Sequence, residues 1–276
     1  MIKSFNANEL KTKCLECRKL ILQLTLNCGI TGAHIGGAMS LVEIMGVLYN
    51  NILNIDVKDP YYEGRDRLIL SKGHGTMALF TSLYVNSYIS YDELVTYKKN
   101  GSLFSVHPQL NQEKFVEFSS GSLGQGLSLG VGVALALKKK NNNKSNVYVV
   151  LGDGECNEGQ IWEAAESANH FNLNNLVVIV DKNGIQNDGY TDKIMVNEPF
   201  DKKWESFGFN TKVINGHNCE EIYKSLVNRD STKPYCIIAN TIKGKGISFI
   251  ENNYEWHNHS LTKEQYDEAL KELDCD

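Results

Sequence analysis

The chain has 276 residues, with 28 Lys and Arg against 33 Asp and Glu, a net charge of −5 and 42% hydrophobic residues. That balance excludes the concentrated cationic face a nucleic-acid backbone or an anionic membrane requires, so neither is expected as a partner. No run approaches the roughly 18 apolar residues needed to span a bilayer, and MIKSFNANELKTKC lacks a signal peptide's apolar centre, so a cytoplasmic protein is expected.

Residues 9 to 27 space Leu10, Cys14, Cys17, Ile21 and Leu24 near a period of 3.6, which predicts an opening helix. Seven cysteines without a scaffold spacing fit reduced thiols, and the lone Cys14-Leu-Glu-Cys17 reads as helix packing in preference to a zinc or redox site. A glycine-rich connection from Gly29 to Gly37 carries His34, and Met39 to Tyr49 is predicted as the next helix. Asn54 to Gly64 reads as polar loop.

Arg67 to Ser71 is a short apolar strand, and Lys72-Gly73-His74-Gly75 turns into a helix from Thr76 to Tyr88. Ser90 to Glu93 makes a capping box for a small helix, followed by irregular chain from Asn100 to Gln112 that holds His107. The loop Ser119 to Gly126 opens a helix running to Lys140. Its Gly126, Gly130 and Gly132 predict close packing against another helix or subunit, and Lys138-Lys139-Lys140 suits its C-terminus before the Asn141–Asn143 loop.

Val147 to Asn187 is the stretch around which the other segments are organised. It reads as strand, a turn holding Asp153 between Gly152 and Gly154, helix, second strand, then a turn holding Asn183. Two polar loops should therefore meet at one sheet edge, where open parallel sheets bind ligands. Asp188 to Lys203 is predicted as loop. A second succession follows, strand Thr211–Ile214, helix Cys219–Asn228 and strand Tyr235–Thr241, ending in Lys243-Gly244-Lys245-Gly246, read as a flexible turn. The tail holds His257 and His259, and Thr262 to Gln265 caps a last amphipathic helix. The alternation of strands and helices predicts one α/β domain over residues 1–276, three-layered, with a mostly parallel sheet flanked by helices.

Glycine-rich loops at strand ends let backbone amides approach a phosphate. Asp153 and Asn183 are hard oxygen ligands of the kind Mg²⁺ takes alongside diphosphate oxygens and water. Taken singly, each is also an ordinary turn residue, and Glu158 suits a helix N-terminus. His170 and His217 are expected to be structural or exposed. A dinucleotide-binding reading fits poorly, because Asn157 stands where the third glycine of that fingerprint belongs.

The pair Gly152-Asp153-Gly154 and Asn183 resembles the thiamine diphosphate motif, shared with α subunits of 2-oxo acid dehydrogenases and with acetohydroxyacid synthases. GAHIGG with His34, DRLILSKGH with His74, VHP with His107 and SGSLGQG from Ser120 to Gly126 look, in the same order, like the amino-terminal half of transketolase. This resemblance implies a thiamine diphosphate-binding fold in which Asp153, Asn183 and the Ile185 carbonyl hold Mg²⁺ or a similar cation such as Ca²⁺. It implies that Gly121, Ser122, Leu123, Gly154, Glu155, Asn183, His74 and His257 surround the cofactor. His34, His74, His107 and His257 would serve catalysis, hydrogen-bonding sugar hydroxyls and exchanging protons, with His259 a competitor for the last position.

The same resemblance implies a departure. In the family, a glutamate from the second half activates the cofactor across a subunit interface, and this chain ends at Asp276, before that half would begin. Ser122 and Ile35, where full-length members usually have proline, also look like split relatives. The expectation is the diphosphate-binding subunit of a split transketolase. It would bind Mg²⁺ and thiamine diphosphate, act on sugars or sugar phosphates, and join a separate carboxy-terminal subunit that supplies the glutamate, in an α₂β₂ heterotetramer. A non-catalytic cofactor-binding scaffold and the α subunit of a 2-oxo acid dehydrogenase are the alternatives.

Overall fold

A computed structural model describes residues 2–142 and 144–275; Asn143, in the polar loop expected after the third glycine loop's helix, lies outside the described residues. In chain order the helices are α1 (Ala7–Asn27), α2 (Ile35–Met39), α3 (Val42–Val47), α4 (Thr76–Val85), α5 (Tyr91–Leu94), α6 (Gln125–Lys139), α7 (Gly159–His170), α8 (Thr191–Ile194), α9 (Phe200–Ser206), α10 (Cys219–Val227) and α11 (Lys263–Cys275). The strands are β1 (Arg67–Leu70), β2 (Val147–Gly152), β3 (Leu176–Lys182), β4 (Asn210–Asn215) and β5 (Tyr235–Asn240). They form one sheet in the order β1-β2-β3-β5-β4, and every pairing is parallel.

Strands buried on both faces need apolar residues on both, and β2 is buried throughout. Alternate residues feed two cores. Val147, Val149 and Leu151 meet Leu127 of α6, Ile161 of α7 and Trp204 of α9 on one face. Tyr148 and Val150 join α1, α3, α4, α10 and α11 on the other. The sheet is thus the middle of three layers, as the alternation of strands and helices predicts. Among the described residues, no helix is long and apolar enough to cross a membrane.

The order also fixes where a crevice opens. The chain steps outward from β1 through β3 to β4, then returns to insert β5 between β3 and β4. With right-handed crossovers, a reversed step places its helix on the opposite face, and α10 lies in the core layer opposite α6 and α7. Ligands bind beside such a switch, at the carboxyl ends of the strands. The register brings those ends level: Gly152 pairs with Asp181, and Asp181 with Ala239.

Four sequence expectations need correction. The helix expected from Met39 to Tyr49 is broken at Ser40–Leu41 into α2 and α3, and its last turn widens into a π-helix over Leu48–Ile52. Its all-round burial hides the amphipathic period that would mark the break. The loop expected from Asp188 to Lys203 contains α8 and the start of α9, whose Phe200 and Trp204 plug the second core. The α6 glycines serve the sheet: a Cβ at Gly126 would lie 2.4 Å from Ser71, and one at Gly130 2.4 Å from Val149, while Gly132 faces outward. The turn at Lys243 is no flexible connection, because that lysine is 1% exposed.

Candidate functional site

Three strand ends supply the floor of the crevice. Asp153 follows β2, Asp181 and Asn183 end β3, and Lys243 follows β5. Asp181 is fully buried; it accepts hydrogen bonds from Lys72 Nζ at 2.5 Å, from Ser40 Oγ at 2.6 Å and from Thr241 Oγ1. Its Oδ2 also accepts from Asn183 Nδ2 at 3.2 Å, which turns the amide oxygen of Asn183 the other way. Four donors outweigh the cost of burying the carboxylate, so it stays below its usual range.

Asp153 behaves oppositely. It is 5% exposed, and burial followed by repulsion from Asp181 pushes its carboxyl up to about 6. Across the crevice floor, the amide of Gly184 donates to its Oδ2 at 2.8 Å. Asn183 Oδ1 accepts from Ile185 N at 3.1 Å, and the Ile185 carbonyl accepts from Lys243 Nζ at 3.2 Å. Asp153, Asn183 and Ile185 therefore line one cavity of about 300 Å³, together with Gly154, Glu155, Leu123, His74, His257, Lys72 and Lys243.

The two lysines were not legible as site residues in the sequence. Lys72 sits in the SKGH turn and Lys243 in the KGKG turn, and both are 1% exposed. Lys243 Nζ also reaches the Gln186 carbonyl at 3.3 Å and His257 Nδ1 at 2.8 Å. Burial, then repulsion from Lys72, lowers its ammonium to about 7. The available signal was position: both lysines closely follow strands at the ligand-binding edge.

Four histidines cluster beside the cavity, with His74 and His257 lining it. The His34 ring lies 5.8 Å from His74, 5.7 Å from His107 and 5.4 Å from His257, and His74 lies 5.0 Å from His257. Desolvation is the main cause holding all four below the ordinary imidazole value, His34 at about 4 and His257 at about 3. They are neutral near pH 7 and can accept or donate at either ring nitrogen. His259 is outside the cluster, with its ring 4.4 Å from Trp256 and its Nδ1 against the Ser260 carbonyl.

Glycine makes this convergence possible where the backbone comes close. Ala33 and His259 exchange backbone hydrogen bonds of 3.1 Å, tying the His34 loop to the His257 tail. Gly32 (φ +57°) adjoins that bridge, and a Cβ there would lie 2.6 Å from the His259 backbone. A Cβ at Gly121 (φ +145°) would lie 3.2 Å from the His107 ring, a looser restriction.

The remaining predicted residues fall into two groups. Gly154 and Leu123 border the cavity, whereas Ser122 is exposed and does not line it. Glu155 is already engaged: its carboxylate accepts from Ser71 Oγ, from Gly124 N at 2.8 Å and from Gly152 N at 3.0 Å. It ties two glycine loops together and presents its charge to the protein. Glu158 is exposed at the start of α7, His170 is exposed, and His217 bridges Glu43 and the Ile242 amide, a structural role.

The residues fit an anion held with a cation. One carboxylate, one amide oxygen and one carbonyl match the sparse protein share of a magnesium site, whose other ligands are phosphate and water. Among the described residues no three of His, Cys, Asp and Glu gather as a metal cage. Asn157 Oδ1, at the cavity, and His34 Nδ1, in the histidine cluster, are buried without hydrogen-bond partners in the chain.

Known proteins share this chain's sequence pattern and fold. Residues 20–276 match the family model described as "Transketolase, thiamine diphosphate binding domain". The chain is 40% identical over 259 residues to the 6-deoxy-6-sulfo-D-fructose transketolase subunit SqwG of a Clostridium species, covering 93% of both chains. It is also 40% identical over 267 residues to one of the subunits of the apulose-4-phosphate transketolase of Actinobacillus succinogenes, covering 96% of each. The crystal structure of transketolase from Campylobacter jejuni superposes with a TM-score of 0.91 at 31% identity; the match covers 98% of this chain and 43% of that longer one.

Proposed function

We propose, from the premise that the chain belongs to the transketolase family and carries its thiamine diphosphate-binding domain, that it is the diphosphate-binding subunit of a two-component transketolase. The whole chain is read as that one domain. The observation that carries the reading is the meeting, at one strand-end cavity, of Asp153, Asn183 and the Ile185 carbonyl with two buried lysines and a four-histidine cluster. The relatives of matching length are themselves named as subunits, which supports a division of the enzyme between two chains.

Asp153, Asn183 and the Ile185 carbonyl would hold Mg²⁺, and the amides near Gly121 and Leu123 would face the diphosphate. Lys243 would add its positive charge, since its present partners are two carbonyls and an imidazole. When bound, thiamine diphosphate supplies a carbanion-stabilising centre that moves a two-carbon ketol unit from a ketose to an aldose. The chain's part is to orient the sugar and handle its protons. His34, His107 and His257, neutral through desolvation, would hydrogen-bond donor hydroxyls and pass protons at the carbonyl end. His74, deeper and against Lys72, would hold its neighbours in place.

A carboxy-terminal subunit would close over the histidine cluster and bring the activating glutamate, in an α₂β₂ assembly. The donor class proposed is a sugar or sugar phosphate. Ketol transfer is to be assayed with Mg²⁺ and thiamine diphosphate, with and without such a partner. Turnover only in the mixture is expected; full activity of this chain alone would overturn the two-component reading. Asp153→Asn should weaken Mg²⁺-dependent thiamine diphosphate binding at least about tenfold, or about 1.4 kcal/mol, by calorimetry. Unchanged affinity would remove the metal assignment.

A further inference from the structure

Lys243 owes its place to a loop, residues 242–245, that forms a wall shared by two cavities. Lys243 faces the strand-end cavity, whereas Lys245 and Gly246 line a second cleft of about 580 Å³, onto which Arg18, Glu43 and His217 also open. None of these three borders the first cavity, and Arg18 and Glu43 are buried. Both ends of the loop are nevertheless bonded to them. At its start the Ile242 amide donates to His217 Nε2 at 2.8 Å, and at its end the Lys245 carbonyl accepts from Arg18 Nε at 3.0 Å. Glu43 joins the two, with Oε1 2.6 Å from Arg18 Nη1 and Oε2 2.9 Å from His217 Nδ1. Because His217 Nε2 accepts, the proton of the ring is on Nδ1 and is donated to Glu43.

We propose, on the reading that Lys243 faces the diphosphate, that Glu43 is a positioning residue for that lysine, acting through Arg18 and His217 to fix both ends of the loop at residues 242–245.

The geometry demands a carboxylate at this position. Burial raises the Glu43 carboxyl, but Arg18 and His217 outweigh it and hold it at about 2, so both oxygens are acceptors. Two donors converge on them, one from a guanidinium that keeps its protons and one from an imidazole whose other nitrogen is taken. An amide offers one oxygen and an NH₂ group, so one donor meets a donor. If the ring moves its proton to Nε2 instead, it meets the Ile242 amide. Either way one end of the loop is released. The middle keeps further ties, among them Gly244 N to the Gly36 carbonyl at 3.0 Å and Asn252 N to the Lys243 carbonyl at 2.9 Å. Release of an end therefore shifts the lysine without unfolding the loop.

Thiamine diphosphate affinity with Mg²⁺ is to be measured by calorimetry on the full chain, on Glu43→Gln, His217→Ala and Lys243→Met, and on the two pairings with Lys243→Met. Glu43→Gln and His217→Ala should each weaken binding about three- to tenfold in the parent chain and less than about twofold in the Lys243→Met background, the non-additivity of groups acting as one unit. Glu43→Asp, which keeps both acceptor oxygens, should recover most of the affinity. His217→Ala leaves the buried Arg18–Glu43 pair whole, which keeps the comparison available if Glu43→Gln folds poorly. Without cofactor, amide hydrogen exchange followed by mass spectrometry should be faster over residues 242–246 in both variants. Equal losses in the parent and Lys243→Met backgrounds would overturn the proposal, since a purely structural role does not act through the lysine. Parent-like affinity in Glu43→Gln and His217→Ala, beside a loss in Lys243→Met, would also overturn it while leaving Lys243 in the cofactor site. Parent-like affinity in Lys243→Met would remove Lys243 from that site and the proposal with it.

Discussion

The two ends of the sheet solve the problem of buried charge in different ways. At the amino-terminal end, Arg65 forms a buried ion pair with Glu117, and Asp66 accepts from the amides of Asn54 at 2.9 Å and Asn146 at 2.7 Å. At the carboxyl end, Asp181 is over-supplied with donors, while Asp153 is pushed up by burial and its neighbour, and Lys243 is pushed down by burial and Lys72. At the first end each charge is answered by a partner within the chain, although burial still pushes the Asp66 carboxyl above its usual range. The second holds cations, an acid and neutral imidazoles in a form that charges arriving from outside, a diphosphate and its metal ion, would relax. The imbalance at the second end is the one the proposed site would use.

Breaking the closed end should cost the most stability. Arg65→Met leaves Glu117 buried without its cation, and a loss of about 3–5 kcal/mol is expected in urea unfolding. Thiamine diphosphate affinity of the folded fraction should be unchanged. A comparable fall in cofactor affinity would show that the two ends are not separable.

Lys243→Met tests the open end with the opposite pattern. Removing a charged donor from the proposed diphosphate site should weaken thiamine diphosphate binding by about 1.5–3 kcal/mol, read by calorimetry with Mg²⁺. Because the ammonium is buried without a carboxylate in contact, stability should change by less than about 1 kcal/mol. A large stability loss with intact affinity would make Lys243 a structural counterpart of Arg65.

The smallest effect concerns pH. The His34 folded-state value, about 4, lies below the ordinary 6.5, so its contribution is fully present above about 6.5 and is lost as pH falls towards 4. Discounted for solvent at a partly exposed ring, it is about 1–2 kcal/mol. Asp153, raised to about 6, works in the reverse sense, so the comparison must be with a single variant. His34→Gln should flatten the acid side of the unfolding midpoint relative to the parent chain. Parallel curves from pH 7 to 4 would mean that His34 is not desolvated.

Much of the architecture was legible because its signals are local. Apolar runs such as Val147–Leu151 and Leu176–Val180 specify doubly buried strands on their own, and polar glycine turns following such strands fall at the sheet edge where ligands bind. Asp153, Asn183 and His74 could be placed for that reason. Helix α9 was hidden because its Phe200 and Trp204 supply only two apolar positions, too few to establish a period. The break between α2 and α3 was hidden because both sides are buried.

By itself, then, the sequence determined the order of strands and helices, the glycine turns at the strand ends and the residue types available there, since periodicity and turn chemistry act over a few residues. Tertiary structure alone decided that His257 joins the cluster while His259 stacks on Trp256. It also decided that Lys72 and Lys243 are buried beside Asp181 and Asp153, and that Glu155 is spent on tying loops together. Each of these depends on which distant segments the parallel register brings together. Only that packing sets how far a charge is desolvated and which group answers it.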